Sequence, residues 1–198
     1  MIPELGNVAL LLALAVALVQ GTVPMLGAAR GRTDWMALAR PAAQVQAALV
    51  ALAFACLASC FVRNDFSLVY VAEHSNTTLP LFYRVAGVWG GHEGSLLLWV
   101  AMLCAWMVAL ARWSRQIPLP VIARSLAVMG LIGAGFLLFM LATSNPFERL
   151  VPAAPNGNDL NPLLQDPGMV VHPPLLYMGY VGFSVAFSFA LAALIGGE

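Results

Sequence analysis

Lysine is absent from this chain, and charge of either sign is scarce: nine arginines and nine acidic residues among 198, for a formal net charge of zero. A water-soluble domain of this length carries charge at about a quarter of its positions, roughly fifty residues. The deficit excludes a disordered chain, which needs charge to stay solvated, and a soluble enzyme. With no lysine and no net positive field, the chain has nothing to hold a phosphate backbone, so nucleic acid is excluded as a partner. Cysteine is equally sparse. Cys56, Cys60 and Cys104 all lie in apolar runs, and neither a CxxC pair nor a CxxCH motif occurs. Dithiol redox chemistry and self-attachment of a c-type haem are therefore excluded. Cys56 and Cys60 stand one helical turn apart, a spacing open to a soft metal pair, but free cysteine in such runs reads as a small packing hydrophobe. No catalytic triad, P-loop or dinucleotide fingerprint is present.

What is abundant is hydrocarbon: 61% of residues are hydrophobic, and mean hydropathy is +0.86. Five apolar runs are long enough to cross about 30 Å of bilayer, roughly Leu5–Met25, Ala42–Val62, Gly94–Ala111, Arg124–Ala142 and Leu175–Ile195. Their interiors carry no Asp, Glu, Lys, Arg or His, and none alternates as a barrel strand would. Backbone groups in lipid must be satisfied within the segment, so the expected fold is all-α: a polytopic membrane protein of five transmembrane helices. Glu4 and the lack of an N-terminal positive charge make the first run a retained helix rather than a signal peptide. Charge-free helix interiors also argue against an ion or solute transporter, whose relays need polar groups within the membrane.

Arginine sets the expected orientation. The first loop holds Arg30, Arg32 and Arg40, and the third holds Arg112, Arg115 and Arg124, whereas the second and fourth share only Arg63, Arg84 and Arg149. Six against three places the first and third loops inside, the N-terminus outside and Glu198 inside. All three histidines, His74, His92 and His172, then fall on the outer side. Seven of the thirteen prolines lie between Pro146 and Pro174, which predicts a long, stiff outer loop.

Two outer constellations stand out. Trp89-Gly-Gly-His-Glu-Gly-Ser95 leads into the third span, with Glu93 in the first turn where the helix dipole favours an acid. Trp99, Trp106 and Trp113 follow at seven-residue spacing, readable as an aromatic packing stripe or as a platform for a flat apolar ligand. The second runs from Leu160-Asn-Pro-Leu-Leu-Gln-Asp166 through His172-Pro-Pro-Leu-Leu-Tyr-Met-Gly-Tyr-Val-Gly182. Pro173 or Pro174 suits a first helical position, which predicts His172 on the outer rim just ahead of the fifth span. Its imidazole is open to axial haem ligation or to simple hydrogen bonding, and Asp166 is a candidate to orient the ring. Arg84 and Arg149 are open to pairing a propionate or to ordinary interface roles. Asn76-Thr77-Thr78 matches a glycosylation sequon, a pattern common by chance.

With Asn64-Asp65-Phe66, Ser75-Asn76-Thr77 and Thr143-Ser-Asn-Pro-Phe147, these strings resemble the CcmF family of cytochrome c haem lyase subunits, across essentially the whole chain. The resemblance implies a multi-pass protein of the bacterial inner membrane that receives haem from the chaperone CcmE. It implies work with CcmH and CcmI to join haem to the CxxCH thiols of apocytochrome c. His172 falls on the first of two outer haem-ligating histidines, with Asp166 behind it and Trp89, Glu93 and Trp99 as site support; no catalytic residue is assigned. The tryptophan-rich segment, the second outer histidine and the ligands of an intramembrane haem b lie downstream in such proteins. The expected organisation is therefore 1–88, a helix pair with its outer loop, and 89–198, the start of a haem-handling domain. A segment ending at Glu198 is expected to be inactive by itself. A non-catalytic haem-binding or haem-conducting scaffold is the alternative.

Overall fold

Small or apolar residues, with one glutamine, Gln20, among them, recur every three or four positions along the first span: Gly6, Ala9, Leu10, Ala13, Ala17, Gly21 and Pro24. In the computed structural model, which describes residues 1–197, that stripe is the buried one. Helices with small residues approach closely, so their dispersion contacts are dense where lipid offers no hydrophobic drive. The first helix, α1 (Ile2–Arg30), ends on Gly31, whose φ of 66° gives the left-handed cap that glycine adopts freely. A short α2 (Thr33–Ala37) leads into α3 (Ala39–Val62), which lies along α1. Two short helices follow at the arginine-poor end, α4 (Val69–His74) and α5 (Leu81–Gly87), and then α6 (His92–Trp113), α7 (Leu119–Thr143) and α8 (Pro167–Gly196). Among the described residues there is no β-strand, only one isolated antiparallel bridge between Leu68 and Arg149.

Five helices are long and apolar enough to span a membrane, each containing one of the expected runs. α7 is the most enclosed of them, packed on α1, α6 and α8. Its Gly130 admits α1: a Cβ there would lie 3.1 Å from both Gln20 and the Gly21 nitrogen. Gln20, fully buried, donates through Nε2 to the Leu126 carbonyl at 2.8 Å, one of the few polar links inside the bundle. α8 is the least enclosed, with Leu175, Phe183, Phe187 and Leu194 more than half exposed. Cys56, Cys60 and Cys104 are buried and unpaired in the core, and no group of three potential metal ligands occurs among the described residues.

The fifth span departs from expectation. The sequence places its start at Pro173 or Pro174, yet α8 begins at Pro167 and both prolines lie inside it. Asp166 offers the better start: its Oδ1 accepts from Gly168 N at 2.8 Å and from Met169 N at 3.2 Å, and Pro167 takes the first helical position. His172 therefore sits in the second turn of α8 rather than ahead of it. The Pro-rich loop shortens accordingly, to the stretch between α7 and α8.

A candidate haem-handling site at the arginine-poor end

The connections at the arginine-poor end are zipped together rather than splayed. Leu150 N donates to Ser67 O, Ala154 N to Phe66 O, Asn158 N to Ala72 O and Val69 N to Glu148 O, so the loop after α7 runs along the segment before and within α4. Asparagines make the turns that allow this. Asn76 Oδ1 caps Thr78 N and Leu79 N while its Nδ2 donates to Asp159, so the amide of the sequon match is committed to the fold. Asn145 Oδ1 accepts from Phe147 N, and its Nδ2 reaches Asn7 at the start of α1. Arg149 is held by Glu4 and Ser67, and Arg84 donates to the Leu79 and Val62 carbonyls. Both guanidinium groups thus serve the scaffold.

Tyr70 is the hub. Its buried hydroxyl accepts from Gly91 N at 3.0 Å and faces the carbonyls of Gly87 and Val88 at 3.3 and 3.2 Å. Burial pushes this phenol up from its ordinary pKa, so it stays protonated and keeps donating. His74 packs against Tyr70 with ring centroids 4.6 Å apart and planes tilted by 43°, and its Nδ1 lies 2.9 Å from the Tyr70 carbonyl. The glycines of Trp89-Gly-Gly-His-Glu-Gly-Ser95 admit this arrangement, since a Cβ on Gly91 would strike His74 and one on Gly94 would strike the Val88 carbonyl. His74 is therefore structural, a role its sequence position does not announce. His92 is engaged too, with Nε2 3.0 Å from Ser144 Oγ.

The loop built on Tyr70 holds α8. Proline has no N–H, so Pro173 and Pro174 strip the carbonyls four residues earlier, Met169 and Val170, of their helical donors. Trp89 Nε1 donates to the Val170 carbonyl at 3.1 Å, satisfying one of them, and Val170 is the single buried residue in the first three turns of α8. Further along, Trp99 packs on Tyr177 with centroids 5.3 Å apart, and Trp106 Nε1 donates to Met178 O at 3.1 Å beside Gly182. Trp89, Trp99 and Trp106 thus form the seam on which α8 docks, the packing alternative of the two readings; Trp113, 81% exposed, is not buried in it.

His172, by contrast, is exposed on this turn, and its ring has no hydrogen-bond partner among the described residues. Exposed Met169, Val171, Leu175 and Leu176 surround it in sequence. Asp166 is turned to the backbone as a helix cap, and no hydrogen bond joins it to His172 among the described residues. Glu93 is half-buried in the first turn of α6. A free imidazole beside exposed apolar side chains fits one axial position and one flank of a haem. It does not enclose one.

Five apolar helices carrying a polar, histidine-bearing layer at one end define a multi-pass membrane protein. Residues 89–197 match the family described as Cytochrome C assembly protein, and the chain belongs to that family. It is 62% identical to the cytochrome c-type biogenesis protein CcmF of Pseudomonas aeruginosa and 57% identical to that of Escherichia coli, in each case over 100% of this chain. A solved structure of the cytochrome c haem lyase CcmF superposes over 100% of the chain with a TM-score of 0.86 at 28% identity, covering 31% of that protein. The chain spans about 30% of the length of the CcmF relatives it matches.

Proposed function

We propose that this chain forms the part of a cytochrome c haem lyase that receives haem at the outer face of a bacterial inner membrane. Haem is substrate here, delivered by a chaperone of the CcmE type and consumed with CcmH, CcmI and apocytochrome c as partners. His172 supplies one axial nitrogen to the iron, and exposed Met169, Val171 and Leu175 offer apolar surface to the ring. The chemistry belongs to the bound group and the peptide: each cysteine S–H adds across a vinyl double bond, sulfur to one carbon and hydrogen to the other, with no net redox change. The chain's own contribution is position. Trp89 fixes the Val170 turn, Val170 anchors the first turns of α8, and the imidazole two residues on is left free to ligate. Holding one reactant in place removes much of the entropic cost of encounter before bonds change. Trp89, Trp99 and Glu93 support the helices that carry the ligand.

The observation that carries this reading is a histidine with no hydrogen-bond partner among the described residues, where the other two each have one. Replacing His172 by Gly or Ala in the full-length protein is expected to abolish or sharply reduce thioether formation in cells, with membrane insertion unchanged. Wild-type maturation by both variants would refute the assignment.

A further inference from the structure

At the opposite end of the bundle the third connection packs on the first, because Arg40 Nη2 donates to the Ser114 carbonyl at 3.1 Å. Arg30, Arg32, Arg40, Arg112, Arg115 and Arg124 all belong to this end, against the single acid Asp34 among the described residues. No acidic residue occurs anywhere between Glu93 and Glu148. Asp34 is taken by Arg32, with N–O 2.7 Å, so Arg112 and Arg115 have no acidic partner among the described residues. Both are exposed and, with Trp113 and Gln116, line a polar hollow of about 430 Å³.

A second hollow shares Trp113 with this one. Trp113 also lines an apolar groove of about 260 Å³ between α6 and α8, with Trp106, Leu110, Ile117, Val185 and Phe189. Trp106 and Trp113 are seven residues apart on α6, so the groove runs roughly 10 Å from the arginines into the apolar span. Two cations on one side of a tryptophan and a hydrocarbon slot lined by the same residue, at a helix end, are complementary to one amphiphile. The slot excludes a free anion as the preferred occupant, and the paired guanidinium groups disfavour a neutral or zwitterionic head.

We propose that Arg112, Trp113, Arg115 and Gln116, with the Trp106–Val185–Phe189 groove, form a binding site for one anionic phospholipid. Its phosphate bridges Arg112 and Arg115, Trp113 sits at the level of the glycerol backbone, and an acyl chain lies along α6 and α8. Arginine pairs phosphate through fixed, forked donors, and tryptophan prefers the interfacial depth. The lipid would cover part of α8's exposed face and tie α8 to α6 at the end opposite His172. This reading stands or falls independently of haem.

The test is native mass spectrometry of the full-length protein released from detergent, with phosphatidylglycerol or phosphatidylethanolamine added at equal concentration. One phosphatidylglycerol is expected to be retained in preference, resistant to excess inorganic phosphate. Each arginine near an anionic headgroup contributes about fivefold, so Arg112→Gln with Arg115→Gln should weaken retention roughly 25-fold. Val185→Trp, which fills the groove without altering charge, should also weaken it, whereas Arg149→Gln at the other end should not. Equal retention of both lipids, displacement by phosphate, or indifference to Val185→Trp would overturn the proposal. So would absence of any retained lipid, the outcome expected if the remaining two-thirds of the full-length chain covers the groove. Circular dichroism of each variant confirms that the helices persist.

Discussion

Replacing Trp89 by Phe removes one hydrogen bond and little volume, and the structure says where the damage should fall. Pro174 leaves the Val170 carbonyl without its helical donor, and Trp89 Nε1 at 3.1 Å is the group that replaces it. Leaving a buried carbonyl unpaired costs about 1–3 kcal/mol, which corresponds to roughly 5- to 150-fold in a local opening equilibrium. Hydrogen–deuterium exchange on the full-length protein in nanodiscs is the assay. Amides of residues 168–172 are expected to exchange faster by a factor in that range, while α1, α3 and the core of α7 keep their wild-type rates. Pro174→Ala supplies a backbone N–H to the same carbonyl, so the double variant should recover most of the protection lost in Trp89→Phe alone. Unchanged exchange at 168–172 in Trp89→Phe, or a Trp89→Phe penalty undiminished in the Pro174→Ala background, would show that the indole does not carry this turn.

His74→Ala removes the ring contact with Tyr70 and opens a gap beside Gly91; a loss of about 1–2 kcal/mol in thermal unfolding is expected, and a neutral result would contradict the scaffold role. Gly94→Ala places a methyl group against the Val88 carbonyl and the Tyr70 hydroxyl, so the variant should accumulate poorly in membranes; normal levels and unfolding temperature would contradict the packing. Alkaline-phosphatase fusions are expected to be active near Asn156 and silent near Arg115, and activity at Arg115 would invert the topology and move His172 to the wrong side.

The five spans were legible because a bilayer demands about 20 apolar residues per helix, and composition alone reports that. Their ends were not. Apolar runs mark the hydrocarbon, whereas helices extend into the interface until a cap stops them: α1 runs five residues past Met25 to Arg30, and α8 begins at Asp166's cap. The Pro-Pro pair misled because proline is a good first helical residue only when no better start lies upstream. Here Asp166-Pro167-Gly168 provides one, and a tryptophan 81 residues earlier satisfies a carbonyl the prolines strip. Such a long-range bond leaves no local signature. The short helices α4 and α5 were likewise hidden, since six and seven residues give too few turns for a period. Separation of the three histidines also needed coordinates. All three fall at one end, as the order of the spans implied, but only packing distinguishes His74 and His92, each with a partner, from His172.

The central claim is that the His172 imidazole ligates haem iron, and imidazole rescue of haem-loaded protein tests it most directly. Full-length protein carrying His172→Gly, purified with haem, is titrated with free imidazole while the absorption spectrum and thioether formation are recorded together. Glycine leaves a gap the size of the lost ring, so imidazole should restore the wild-type low-spin spectrum and part of the activity over one saturation curve. Wild-type spectrum and activity without imidazole, or a spectrum that imidazole changes without restoring any activity, would contradict the assignment.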